Sequence, residues 1–287
     1  MKRAALFLSF LLSLPLPSSL GAEPLNPSEV EVEELSFGSL GVLTFANEVR
    51  DVIEGQSFAR IYLDPYEGSP KLLLERPSSM IEDAWSIDFN GDGVKEIGVL
   101  WRSFGKARFG RFEIFSLASK GRMERIFPKR ESVDRAHLRV LFPEDISGLY
   151  GKLKKDRELP PLESIVFALE IALCEVSRES PLLKKRVFYG NRGGGLRVLT
   201  VDVDEAEQRH QELNLAAEFF REGKNEEALQ LARRTLERIR LTGPNYLMAD
   251  AYLLVAKGYR LSGSSKLAKI FKRRAALKDD LWKGRRK

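Results

Sequence analysis

The sequence predicts an α+β protein, with an N-terminal antiparallel β domain (a sandwich or open sheet) followed by a C-terminal α-helical repeat region. Three observations predict it. Short β-prone runs separated by Gly, Pro, Ser and Asp turns extend from Val30 to Phe127. An acidic, glycine-rich loop from Asp88 to Glu96 sits between two of those runs. From Asp204 onward the composition shifts to Ala, Leu, Glu, Arg and Lys at helical spacing.

Residues 1–22 come first and are predicted to be removed. Lys2 and Arg3 precede an apolar run from Ala4 to Leu16, and Pro17-Ser18-Ser19-Leu20-Gly21-Ala22 follows, which is the charged, apolar and small-residue order of a secretory signal. The run is too short and too proline-bearing to span a bilayer, and no Cys lies near the cleavage site to accept a lipid. A periplasmic or secreted location follows, with an uncleaved anchor as the alternative. Cys174 is the sole cysteine, so no intrachain disulfide forms, and its place in the apolar run Ile165 to Val176 suits a packed thiol better than a nucleophile.

Residues 23–131 make the predicted β domain, with six to eight strands. Its runs include Gly41-Val42-Leu43-Thr44-Phe45, Ala59-Arg60-Ile61-Tyr62-Leu63 and Arg111-Phe112-Glu113-Ile114-Phe115. Within it, Asp88, Asn90, Asp92 and Glu96 fall at loop positions one, three, five and nine around Gly93 at six. With the Val94 carbonyl, these oxygens suit calcium's preference for six to eight oxygen ligands. An EF-hand would need a bidentate Glu at position twelve, which is Val99 here, and the flanking runs are strand-like. An ion-free hairpin turn at Asn90-Gly91 and Asp92-Gly93 is the alternative.

From Ala84 to Trp101 the chain resembles the FG-GAP/VCBS type of calcium-loop repeat, with Asp88, Asn90, Asp92 and Glu96 on that family's ligand positions. The resemblance implies a structural calcium ion. It does not imply a propeller, because only one copy of the loop is visible and a propeller needs several blades.

Residues 132–203 are predicted to connect the two regions. Pro160-Pro161 introduces a buried helix from about Leu162 to Ser177, with Glu163, Glu170 and Ser177 as a seven-residue polar stripe. A hairpin follows, with Arg186-Val187-Phe188-Tyr189 and Leu196 to Val203 flanking a glycine-rich turn. That turn lacks the Gly-Lys-Ser/Thr ending of a phosphate loop.

Residues 204–287 contain two segments that align with a period of forty residues: Leu215, Ala216, Phe219, Gly223 and Ala228, then Val255, Ala256, Tyr259, Gly263 and Ala268. This pattern resembles divergent tetratricopeptide repeats, with Tyr252 at the first aromatic position of the second unit and Glu212 there in the first. The resemblance implies antiparallel helix pairs that hold a partner protein, and a C-terminal bundle without a working groove is the alternative.

Net charge is +6, yet Lys266 to Lys287 holds ten Lys or Arg against Asp279 and Asp280, so the basic character belongs to the C-terminus. That end suits an anionic polymer or membrane surface, or simply a solvated last helix. Nucleic acid is disfavoured in an exported chain. His137 and His210 are the only histidines and lie far apart in the sequence, so neither a zinc cluster nor a Ser-His-Asp set assembles. The expected function is therefore a non-enzymatic binding or scaffold protein of the cell envelope, engaging an envelope or secreted partner. The rival expectation is a glycan-acting enzyme or carbohydrate-binding accessory protein that uses carboxylates of the β domain.

Overall fold

A computed structural model describes residues 30–36, 41–51, 56–64, 69–103, 109–118, 122–128, 135–153, 161–191 and 195–284. The expected signal segment 1–22 and residues 285–287 lie outside the described residues, as do the side chains of 279–284.

Three antiparallel sheets precede the long helices, so the chain is α+β. The first sheet holds β1 (Val30–Ser36), β2 (Val42–Asp51), β3 (Gln56–Asp64) and β4 (Lys71–Pro77) in that order. The second holds β5 (Ser79–Ile87), β6 (Glu96–Ser103), β7 (Phe109–Ala118) and β8 (Arg122–Phe127), and the short β9 (Arg135–Ala136) also pairs with β7. The third holds β10 (Arg139–Leu141), β11 (Phe167–Leu173), β12 (Leu183–Asn191) and β13 (Leu196–Val203). Helix α1 (Pro143–Leu153) intervenes between β10 and β11.

The second sheet is the middle layer, and β6 is why. Its Ile97, Val99 and Trp101 pack with Leu43, Phe45, Ile61 and Leu63 of the first sheet. Leu100 packs the other way, with Phe112 and Ile114, against Phe167, Ile171 and Leu183 of the third. A strand covered on both faces reads as a continuous apolar run, as Ile97 to Trp101 does, and not as an alternation. Polar links fasten the first two sheets. The buried Glu113 carboxylate accepts from Arg76 at 2.7 Å and Arg125 at 3.3 Å, and the Asn47 carboxamide exchanges two 2.7 Å hydrogen bonds with the Ile81 backbone.

The third sheet corrects one expectation. The stretch Leu162 to Ser177 is not a helix; it is a 3-10 turn at Leu162–Ser164 and then β11. A short apolar run has no period that separates a buried helix from a central strand. Here the strand has two faces to bury. Phe167, Ile171 and Leu173 face the second sheet, and Ala168 faces α1 beside Ile146 and Phe188. Glu170 belongs to no helical stripe. It accepts a 3.0 Å hydrogen bond from Arg186 on the paired strand. Residues 139–203 therefore supply a full sheet plus α1 where a connector was expected, and the anticipated hairpin is the β12–β13 pair.

Two helical hairpins complete the chain: α2 (Arg209–Arg221) with α3 (Asn225–Thr242), and α4 (Met248–Leu261) with α5 (Ser265–Gly284). Gly223 and Gly263, forty residues apart, both have φ of +80° at the hairpin turns, a conformation that costs a glycine nothing. Helix α2 sits directly on the third sheet. The Asn214 carboxamide accepts from the Val176 and Ser177 amides at 2.8 and 3.0 Å and donates to the Ser177 carbonyl at 2.9 Å. The buried Lys185 ammonium of β12 donates to Glu218 at 2.6 Å and also to Glu222. The helices are thus built onto the β stack and are not tethered beside it.

Candidate metal loop

The β5–β6 connection is a strand-loop-strand unit, as the flanking sequence requires. Backbone reversal is placed at Gly91 and Gly93, with φ of +78° and +85°. Asp88 organises the turn: one carboxylate oxygen accepts from the amides of Gly91 at 2.6 Å and Asp92 at 3.2 Å, and the other from Gly93 at 2.9 Å. These amide donors, that of Gly93 foremost, hold the Asp88 carboxyl below the ordinary carboxylate range.

The structure brings Asp88, Asp92 and Glu96 together, with one oxygen from each within 4.8 Å of the others. Two oxygens that share one calcium at 2.3–2.6 Å can stand up to roughly 5 Å apart, so this triad fits a single hard cation. Asn90 lies among them with its carboxamide nitrogen toward the acids, donating to Asp92 at 3.0 Å and to Glu96 at 2.5 Å. Its oxygen instead accepts from the Asp92 amide at 2.8 Å. For Asn90 to serve as a ligand, that carboxamide must turn over. The Val94 amide donates to Asp92 at 2.8 Å, and the Val94 side chain points to solvent.

Glu96 is the unusual member. It is only 2% exposed, it accepts from the Phe89 amide at 2.8 Å, and no Lys or Arg among the described residues forms an ion pair with it. Burial, reinforced by the charges of Asp92 and Asp88, pushes its carboxyl up. A cation between the three acids would relieve that repulsion.

Phe89 is the residue that ligand counting passes over. At loop position two it is fully buried between the second and third sheets, edge-on to Phe112 at 6.1 Å and to Phe167 at 5.8 Å. Glycine at position 98 makes room for it, since a Cβ there would meet the Phe89 ring at 2.7 Å. The loop is thereby pinned to the core, with Asn191 of β12 close against Gly91. An apolar aromatic inside an otherwise polar loop was the available sequence signal.

A cavity of about 340 Å³ lies between the second and third sheets, bordered by Arg111, Phe112, Phe127, Leu169, Lys185 and Tyr189 among others. No carboxylate lines it, so it does not supply the acid pair that glycoside hydrolysis requires. Cys174 is half-buried and burial raises its thiol, the opposite of an activated nucleophile. No described helix is long and apolar enough to cross a membrane. No protein-family profile, curated protein or solved structure matches the chain.

Proposed function

We propose that the chain is an exported, non-enzymatic binding or scaffold protein of the cell envelope, whose β stack is steadied by calcium and whose tetratricopeptide-like hairpins hold a partner protein. The observation that carries it is the distribution of uncovered apolar surface. Of twelve exposed large apolar side chains among the described residues, seven (Leu241, Tyr246, Leu253, Leu261, Leu267, Ile270 and Leu277) lie in the helical region, which is the shorter part of the chain. A contiguous exposed apolar patch marks an interaction site, whereas singly scattered side chains do not, and of the seven, Leu267, Ile270 and Leu277 recur at helical spacing along α5.

Calcium's part is structural. The carboxylates of Asp88, Asp92 and Glu96 would hold it, with Asn90 and the Val94 carbonyl completing an oxygen set. Because Phe89 ties the loop to the core of the stack, rigidity gained at the loop reaches the sheet on which α2 rests.

A photo-crosslinking amino acid placed in the intact chain at Leu253 on α4 or at Leu72 on β4, each 47% exposed, tests the partner claim in the native envelope. A discrete protein adduct at position 253, absent at 72, is expected. Adducts at 72 alone, or at neither position, would remove the helical surface from consideration.

A further inference from the structure

Helix α5 carries two features on one flank that its partner-facing side does not explain. Its inner face is settled: Phe271 lies 5.4 Å from Tyr259 and 6.0 Å from Tyr252, ring to ring, and Ala275 is buried. Beside that face runs a second stripe, Leu267, Ile270, Arg274 and Leu277, at spacings of three, four and three. Its apolar members are 40%, 39% and 64% exposed. That spacing is the seam of a helix packed along another helix.

Beside the stripe the charge is of one sign as far as Lys278, beyond which Asp279 and Asp280 follow. Lys266 to Lys278 contains six Lys or Arg and no acid, all six are exposed, and none forms an ion pair with a described carboxylate. On α3, by contrast, Glu226, Glu227 and Glu237 intersperse with Arg233, Arg234 and Arg240.

We propose that the α5 flank docks an acidic amphipathic helix of a partner protein, with apolar residues of the partner filling the Leu267–Ile270–Leu277 stripe and its carboxylates meeting the lysines and arginines. This inference rests on the partner-binding reading above and specifies the partner's chemistry. A second copy of this chain is the poorer occupant, because pairing the stripe with itself sets six cations against six. A lipid surface is poorer too, since the inner face of α5 is spent on α4 and only a narrow flank could enter the headgroup region.

The test uses the intact chain and a fluorescent synthetic peptide of about three heptads, with Leu at the a and d positions and Glu at e and g. A control peptide of equal composition has its leucines scrambled. The amphipathic peptide is expected to bind at least about tenfold tighter than the scrambled one, with Ile270→Ser and Leu277→Ser each removing most of that difference and leaving the thermal midpoint unchanged. Lys269→Glu with Arg273→Glu should weaken both peptides. Equal binding of the two peptides, indifference to the serine substitutions, preferential binding to phosphatidylglycerol vesicles, or a dimer in sedimentation would each overturn the proposal. A crosslinked protein at position 253 with no peptide selectivity would sink this inference alone, whereas no adduct at 253 would sink the reading beneath it.

Discussion

The two helical hairpins share a sequence pattern and differ in what they must touch. Aligned at forty residues, α4 has Ala251, Tyr252, Leu254 and Gly258 where α2 has Gln211, Glu212, Asn214 and Glu218. All eight are buried. In α4 these positions pack helix on helix, and Gly258 lets the α2–α3 pair approach so closely that a Cβ would sit 2.7 Å from Leu229. In α2 the same positions are polar and each is answered: Gln211 donates to the Pro181 carbonyl at 2.8 Å, Glu212 accepts from Thr235 at 3.0 Å, Asn214 holds the 176–177 backbone, and Glu218 meets Lys185. The repeat pattern specifies a helix pair. Its neighbours are specified by the residues that break the pattern, and in α2 Gln211, Asn214 and Glu218 select β12 and the β11–β12 connection of the third sheet in place of another repeat.

The largest test of that difference lies at Lys185. Replacing it with Ala removes one of two cations that meet the buried Glu218 carboxylate, each at 2.6 Å, and leaves Arg221 in place. Breaking a buried pair costs at most about 3–5 kcal/mol, and the retained Arg221 sets the loss below that ceiling. Urea unfolding of Lys185→Ala should show that loss, and the double variant Lys185→Met with Glu218→Leu should recover much of it. A loss under about 1 kcal/mol for the single variant would mean that the α2–sheet junction is not held as described.

Gly258→Ala probes the other hairpin and should cost less. The new methyl overlaps Leu229 and Phe220, an overpacking worth about 1–3 kcal/mol, which the intrinsic helix preference of Ala offsets by under about 1 kcal/mol. The expected signature is a lower denaturant midpoint at an unchanged slope. Gly98→Ala beneath Phe89 is the matching change in the β stack and should fall in the same range.

Sequence legibility followed the same divide. The hairpins could be placed because glycine, alanine and aromatic residues recur at fixed spacing, and both turn glycines adopt the left-handed conformation that only their lack of a Cβ makes cheap. The acidic loop could be placed because oxygen donors alternate between two strand-like runs. The third sheet could not. Phe167 to Leu173 is covered by the second sheet on one side and α1 on the other, and a strand with two buried faces loses the alternation that would identify it. The role of Lys185 was equally hidden, because its partners Glu218 and Glu222 lie more than thirty residues away and no spacing rule connects them.

The smallest expected effect concerns whether the β stack and the first hairpin share one transition, and calcium supplies the handle. At a free concentration ten times its dissociation constant, a ligand that binds only the folded state stabilises by about 1.4 kcal/mol. Amide hydrogen exchange should show that gain in β6 and in α2, which is fastened to the third sheet, and less of it in α5. The gain should shrink on acidification, because ionised Glu96 is the form a cation needs and burial has raised its carboxyl. In the metal-free chain the sign for Glu96 is reversed. A carboxyl bound more tightly to its proton when folded adds stability below the ordinary carboxylate value, and that stability is lost as pH rises through the raised value. Asp88, held low by its amide donors, contributes above the ordinary value and loses its contribution as pH falls through its own. Glu96→Gln keeps an acceptor for the Phe89 amide while removing the buried charge. Near neutral pH it should therefore abolish the calcium response without lowering metal-free stability. A calcium response that survives the substitution would place the ion elsewhere, and a gain confined to the loop would mean that the stack and the hairpin unfold separately.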